Sequence, residues 1–504
     1  MDTNHVQVAV LGTGFGGIGM AIKLQEQGIT DFAVLERADD LGGTWRDNSY
    51  PGCACDVPSN LYSFSFAPNP DWSRSFSPQP EIWAYLKKTA EDNDVVKYMR
   101  FGHMVTGARW DEDNTRWELE TTKGLITAHV VVAATGGLSD PMNPDIPGIE
   151  TFEGKTFHSA TWDHDYDLTG KRVAVIGTGA SAIQFVPKIQ RKVAQLDLYQ
   201  RTAPWIQPRL DRPYTRLEKT LFKKFPLFQK LSRLGIYWSR ESLVLAYTRN
   251  QKVFLPLRLT AARHRRRQIK DPVLRAKVTP NYAMGCKRML ISNDYYPSLT
   301  KPNVDVITDG IAEIRPHSIV TKDGVEREVD AIIYGTGFHV TDFPASQFIH
   351  GRNSQKLSEV WTDGIHHYLG ANVAGFPNLF FLAGPNTGLG HNSMVFMLES
   401  HMQYVLSALK TMRDNEIDVV DVRSDVQDEF DTALQDRMKN TVWIRGGCSS
   451  WYLDAKGRNV TLWPGATWAF RRRTSTFNLD DYEVAAKTTT TTAGAAETRE
   501  PLAV

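Results

Sequence analysis

Apolar residues along the chain come in short, nearly continuous blocks, and the blocks end at glycine. Such runs occupy residues 6–11, 130–134, 172–176, 331–334 and 379–383, each with a glycine within the next two positions. A short block that stays apolar instead of alternating predicts a parallel strand buried on both faces. The runs at 6–11 and 172–176 open glycine loops that lead into helix-like sequence. These loops lie about 165 residues apart, whereas one mononucleotide-binding unit takes about 30 residues. An α/β fold with two Rossmann-like dinucleotide-binding domains is therefore expected.

Between residues 214 and 271 the pattern changes to long helix-like segments rich in aromatic and basic residues, such as Phe222-Lys223-Lys224-Phe225 and Arg263-His264-Arg265-Arg266-Arg267. The plain reading is a helical insertion with a solvated basic face. A lid over the substrate mouth, or an amphipathic contact with a membrane surface, is the sharper alternative. From residue 485 onward threonine, alanine and glycine dominate without apolar periodicity, so residues 485–504 are expected to be a disordered tail.

Composition narrows the function. The 504 residues carry 58 basic and 57 acidic side chains, a net charge of +1. That balance offers no global field for nucleic acid and points to small-molecule partners. Neither the number nor the spacing of Cys53, Cys55, Cys286 and Cys448 suits a disulfide framework or a zinc site, so a reduced cytoplasmic setting is expected. No secretory pattern opens the chain, and no apolar run approaches the roughly 18 residues of a membrane span.

The first glycine loop reads Gly12-Thr13-Gly14-Phe15-Gly16-Gly17. Gly12 permits the turn, Gly14 lets the backbone approach a pyrophosphate, and Gly17 allows close packing of the helix. The next apolar run ends in Glu36, where a carboxylate accepts hydrogen bonds from a ribose diol. The segment that follows, with Gly42, Gly43, Thr44, Trp45, Tyr50, Asp56 and Tyr62, suits a flavin and its ribityl chain, so FAD is the expected ligand. Phe15 and Val105 join the candidate FAD-binding positions. The second loop reads Gly177-Thr178-Gly179-Ala180-Ser181-Ala182, and its second strand ends in Gln200-Arg201-Thr202. Arginine in place of the carboxylate favours a 2′-phosphate, with Lys287 as a second cation, so NADPH is expected there. The boundaries this predicts are an FAD-binding domain over 1–145 and 336–484, and an NADP-binding domain over 146–335 with the insertion at about 212–275.

Residues 152–163 read Phe-Glu-Gly-Lys-Thr-Phe-His-Ser-Ala-Thr-Trp-Asp. Phe152, Gly154, His158, Trp162 and Asp163 resemble, position for position, the FxGxxxHxxxW(P/D) fingerprint of type I Baeyer–Villiger monooxygenases, a branch of the flavin-containing monooxygenase superfamily. Related enzymes that oxidise nitrogen or sulfur typically carry Tyr or Phe where this chain has Trp162. The resemblance extends through both glycine loops, Ala134-Thr135-Gly136 and Gly335-Thr336-Gly337, and covers most of residues 6–482.

The resemblance implies an FAD- and NADPH-dependent enzyme that inserts one oxygen atom of dioxygen beside a ketone carbonyl, through a C4a-peroxyflavin. Such an anion is best held by a cation that cannot donate a proton at neutral pH. Arg288 falls on the family's active-site arginine and Asp56 on its acidic partner. Asn386 precedes a helix whose start could face the flavin, and Trp451 falls in a segment that contacts NADP. His158 is expected to serve domain movement and NADPH placement, not to act as a general base. Oxidation of sulfides or amines is the alternative, and a flavoprotein sensor a further one. A flavin disulfide reductase is disfavoured because Cys53-x-Cys55 lacks the redox spacing.

Overall fold

The computed structural model describes residues 4–341 and 343–486. Its first sheet is built around the parallel strand His5–Leu11, flanked by Phe32–Leu35 and Gly124–Ala133. Both neighbours are apolar where they touch, and all three are buried in their central residues, as the blocks of apolar sequence require. Strand Gly124–Ala133 starts six residues before the expected run, because its first half belongs to an antiparallel meander with Val105–Asp111 and Arg116–Thr121. Through its second half it pairs in parallel with Leu379–Phe381, so the last third of the chain returns to the first sheet.

The second sheet has five strands, all parallel, in the order Val304–Ile307, Gln195–Tyr199, Arg172–Ile176, Ala331–Tyr334 and Lys155–His158. Each of the two sheets thus carries one glycine loop at the carboxyl end of a central strand, where open α/β sheets bind ligands.

The insertion is helical, with its main helices at Arg216–Lys224, Pro226–Glu241 and Leu255–Gln268. Thr215 and Glu218 close a capping box at its start, and Asp271 caps the last helix, Pro272–Lys277. Its two ends are stitched together by the short parallel pair Ile206–Gln207 and Leu290–Ile291. Lys287 and Arg288 lie just before that seam. At the other end of the chain, strand Tyr482–Ala486 pairs with Ile417–Val422, two residues into the segment expected to be a tail. The rest of that segment, 487–504, lies outside the described residues.

Candidate nucleotide clefts and the Arg288 centre

In the first loop Gly12 has φ +101°, and a Cβ there would stand 2.8 Å from Ala134 O. A Cβ on Gly17 would drive into Gly12 O, so the helix Phe15–Glu26 can approach the strand only because both positions lack side chains. Gly14 caps that helix without a side-chain hydrogen bond, which leaves its first-turn amides open to an anion. A Cβ on Gly43 would stand 3.1 Å from Gly14 Cα. Bare backbone therefore lines both sides of the groove, as Thr44 and Trp45 continue from it into a single helical turn.

Glu36 is buried, and four donors converge on it. Its Oε2 accepts from Thr13 N at 2.9 Å and Thr13 Oγ1 at 2.5 Å, while Oε1 accepts from Ala38 N and pairs with Arg46, both at 3.0 Å. Burial alone would raise its pKa. The bonds from Thr13 and Ala38 and the charge of Arg46 outweigh burial and hold it below the ordinary carboxyl value. A ribose diol must share this carboxylate, and the Thr13 hydroxyl is the donor free to rotate away. Arg46 was not anticipated from the sequence. Trp45 donates to Tyr62 OH at 3.1 Å, and the Tyr62 ring lies 5.1 Å from Phe15, so these three aromatics form one cluster. Val105 lies at the Glu36 end of the cleft, two residues past His103, whose amide donates to Glu36 O.

The second loop solves the same packing problem differently. Gly177, at φ +110°, is closed in by Gly335 O, and the Cβ of Ala182 packs 3.3 Å from where Gly335 would carry one. The alanine is admitted because the residue facing it is glycine. A Cβ on Gly179 would meet only Gly335 O, at 3.9 Å, and Ser181 caps the helix Ala182–Ile189 without a side-chain bond. At the strand end Lys287 Nζ donates to Thr202 Oγ1 at 3.1 Å, and Thr178 Oγ1 donates to Thr202 O at 3.3 Å. Burial, and then the charge of Arg201, lower the Lys287 pKa. Two cations that repel each other, neither in an ion pair among the described residues, make a place for an anion.

Between the clefts Arg288 meets Asp56 in a bidentate pair, Nε to Oδ2 and Nη2 to Oδ1, both at 2.7 Å. The side chains retain 33% and 23% of their exposure, so the pair is accessible from one side. The Asp56 charge holds the Arg288 pKa above its already high ordinary value. Burial would raise the Asp56 pKa, but Arg288 and then Arg240 outweigh it and keep the carboxylate ionised. Arg240 reaches in from the insertion, donating to Asp56 O at 3.3 Å.

Two features run against expectation. Cys286 and Cys448 form a disulfide across 162 residues of sequence, a pairing that spacing along the chain cannot reveal. The bridge joins the residue two before Arg288 to the residue three before Trp451, which stands 44% exposed. Cys53 and Cys55 remain free and buried. Burial pushes Cys53 up to about 12 and Cys55 higher still, so neither is a thiolate at neutral pH. Asn386 spends its side chain inside the fold, donating to Asn459 O and Leu462 O and bonding His367 Nε2. Its backbone N–H is bonded inside the fold as well, to Val460 O at 3.0 Å.

The fingerprint residues gather where the two domains join. His158 is 3% exposed, accepts from Ala160 N at 3.0 Å, and packs edge-on against Phe338 beside the 335–337 linker. Burial lowers its pKa to about 4, so it is neutral at physiological pH. Trp162 lies between Phe157 and Phe185, Asp163 pairs with Lys155 at 2.5 Å, and Gly154 leaves room for the Phe152 ring and Asp330 O. Gln184, overlooked in the sequence, clasps the two domains: its side chain bonds both the N–H and the C=O of Ala54 and accepts from Tyr50 OH.

Comparison with known proteins agrees with this geometry. The chain matches the flavin-binding monooxygenase-like family over residues 5–350 and belongs to it. It is an FAD-carrying, NADPH-dependent flavoprotein monooxygenase. Within the family its likeness is to the type I Baeyer–Villiger branch. A Baeyer–Villiger monooxygenase of Streptomyces coelicolor is 52% identical over 482 residues, covering 95% of this chain and 93% of the relative. The OTEMO complex with FAD and NADP superposes with a TM-score of 0.87 at 28% identity, covering 95% of this chain and 99% of that one. Cyclohexanone monooxygenase from Rhodococcus sp. Phi1 bound to NADP+ gives 0.83 at 28% identity, covering 96% and 100%.

Proposed function

We propose that the enzyme inserts one oxygen atom of dioxygen beside the carbonyl of a small-molecule ketone, giving an ester or lactone, with Arg288 as its catalytic cation. The observation that carries this reading is the bidentate Arg288–Asp56 pair, accessible from one side and lying between two glycine-loop clefts. The first cleft, within 1–145 and 336–484, holds FAD along Gly12, Gly14, Glu36 and the Gly43–Tyr62 segment. The second, within 146–335, holds the nicotinamide cofactor, with Arg201, Thr202 and Lys287 around its 2′-phosphate. Bound FAD, reduced by NADPH, supplies the oxygen-activating chemistry.

The chain's own residues supply charge and position. A guanidinium whose pKa is raised further by Asp56 has no proton to give at neutral pH. It stabilises negative charge developing on the carbonyl oxygen and does not quench it. Asp56 fixes the plane of the guanidinium, and Gln184 fixes the Asp56 segment to the NADP-side helix. His158, neutral and enclosed, holds the linker and moves no proton. The buried, protonated Cys53 and Cys55 leave no dithiol chemistry for the flavin.

No described helix is long and apolar enough to cross a membrane. The cytoplasm is the proposed location, and cell fractionation checks it. The reaction is tested with NADPH, isotopically labelled dioxygen and a mixed panel of ketones and sulfides. Labelled esters or lactones are expected. Labelled sulfoxides alone would move the assignment to heteroatom oxidation.

A further inference from the structure

The insertion helix Pro226–Glu241 is amphipathic the wrong way round for a helix in water. Apart from Ile236 and Tyr237, which pack on the core with Tyr237 stacked on Phe396, its inward face is polar. Gln229 donates to Asn69 O at 2.6 Å and to Asn60 Oδ1, Arg233 donates to Asn60 O and Ser63 O, and Arg240 reaches Asp56 O. Glu241 at its end is buried and accepts from Thr467 and Asn392. The outward face carries Leu227, Leu231, Leu234 and Trp238, spaced four, three and four residues apart on one stripe and each between 50% and 64% exposed. The effect spreads beyond one helix. Thirteen of the twenty-two exposed large apolar side chains among the described residues fall between 210 and 273. Exposed apolar side chains concentrated in one region of a surface, four of them in one helical stripe, mark an interaction site.

Charge says what covers it. Residues 219–270 hold fourteen lysines and arginines and one acidic residue, Glu241, which is buried. The chain as a whole is nearly neutral, whereas ten of these fourteen cations are exposed, Arg233 and Arg240 turning inward and Arg265 being buried. Lys224 and Lys230, beside the apolar stripe, are exposed and form no ion pair among the described residues. Two such surfaces repel each other, which disfavours a second copy as occupant.

We propose that the outward face of the insertion docks on an anionic phospholipid surface, with Leu227, Leu231, Leu234 and Trp238 seated at the headgroup boundary and the lysines and arginines over the acidic lipids. Apolar area and cations on one helix face are the two ingredients of an interfacial membrane contact. The helix that docks carries Arg240, which donates to the backbone oxygen of Asp56, the partner of Arg288, so the docked helix is in contact with the Arg288 centre.

The test is flotation of the FAD-loaded enzyme with vesicles of equimolar phosphatidylserine and phosphatidylcholine, against vesicles of phosphatidylcholine alone. Binding at least about tenfold stronger to the anionic vesicles, and falling with salt, is expected. Leu231→Ser with Trp238→Ser should abolish it, and Lys224→Glu with Lys230→Glu should weaken it about tenfold or more. All four changes lie on the surface, so FAD content and NADPH oxidation in solution stay unchanged and report intact folding. Absence of binding to both vesicle types overturns the proposal. So does concentration-dependent self-association, removed by the Leu231 and Trp238 changes, in place of lipid binding, as does capture of an acidic protein without lipid binding.

Discussion

The two glycine loops have nearly the same backbone and opposite electrostatics. In the first cleft the charge at the strand end is closed on itself: Glu36 is surrounded by Thr13, Ala38 and Arg46. In the second it is open, with Arg201 and Lys287 near enough to repel and neither in an ion pair among the described residues. The backbone of such a loop selects a pyrophosphate, and the side chain ending the second strand selects which dinucleotide carries it. A closed carboxylate offers acceptor sites to a neutral diol, whereas an open pair of cations requires an anion. Between the clefts, the Arg288–Asp56 pair belongs to the closed kind, which makes it a fixed charge.

The strongest way to break that contrast is to remove the fixed cation. Arg288→Ala is expected to lower oxygenation by about 100- to 1000-fold, the usual loss when one stabilising donor is deleted, while NADPH oxidation continues. Because Asp56 then lies unpaired, Arg288→Lys serves as the companion variant. Loss of ester in both, with hydrogen peroxide accumulating, is the expected result of product analysis. Next is the disulfide that anchors the segment carrying both Lys287 and Arg288. Reduction, or Cys286→Ser with Cys448→Ser, should cost about 2–4 kcal/mol, read as a lower Tm. Titration of free thiols in freshly opened cells reports whether the bridge forms there.

The open cleft is probed by Arg201→Ala. Losing charge-assisted bonds worth about 1.5–3 kcal/mol should raise KM for NADPH roughly tenfold to a hundredfold while leaving KM for NADH nearly unchanged. An equal rise for both would show that Arg201 does not read the 2′-phosphate. The smallest effect concerns His158, whose folded pKa of about 4 lies below its ordinary value. The unfolded chain takes up this proton first as pH falls, so His158 costs no stability above pH ~6.5 and subtracts about 1–2 kcal/mol by pH ~5. His158→Asn should flatten that part of the Tm-against-pH curve. A curve unchanged by the substitution would mean that other groups set it.

What could be read in the sequence was what is local in it. The strands ending at glycine, both loops, Glu36, Arg201 and the fingerprint are each written within a dozen residues, and the fold repeats them in that order. Arg46 lay inside the segment read as flavin-binding and was missed because only burial next to Glu36 makes it a partner. Gln184, Arg240 and the Cys286–Cys448 bridge depend on contacts spanning 130, 184 and 162 residues, which no periodicity encodes. The insertion shows the converse. Its basic and apolar residues were visible, but which face turned outward was not, because hydrogen bonds to Asn60, Ser63 and Asp56 decide that a polar face points in.

The central claim is that a fixed guanidinium at Arg288 directs oxygen into ketones. It is tested most directly by turning over wild type and Arg288→Lys in labelled dioxygen with the same ketone and weighing the products. The account predicts one labelled oxygen atom per ester or lactone molecule from wild type, and from the variant oxidised NADPH with hydrogen peroxide and almost no ester. Undiminished labelled ester from Arg288→Lys, or no labelled ester from wild type on any ketone it binds, would contradict it.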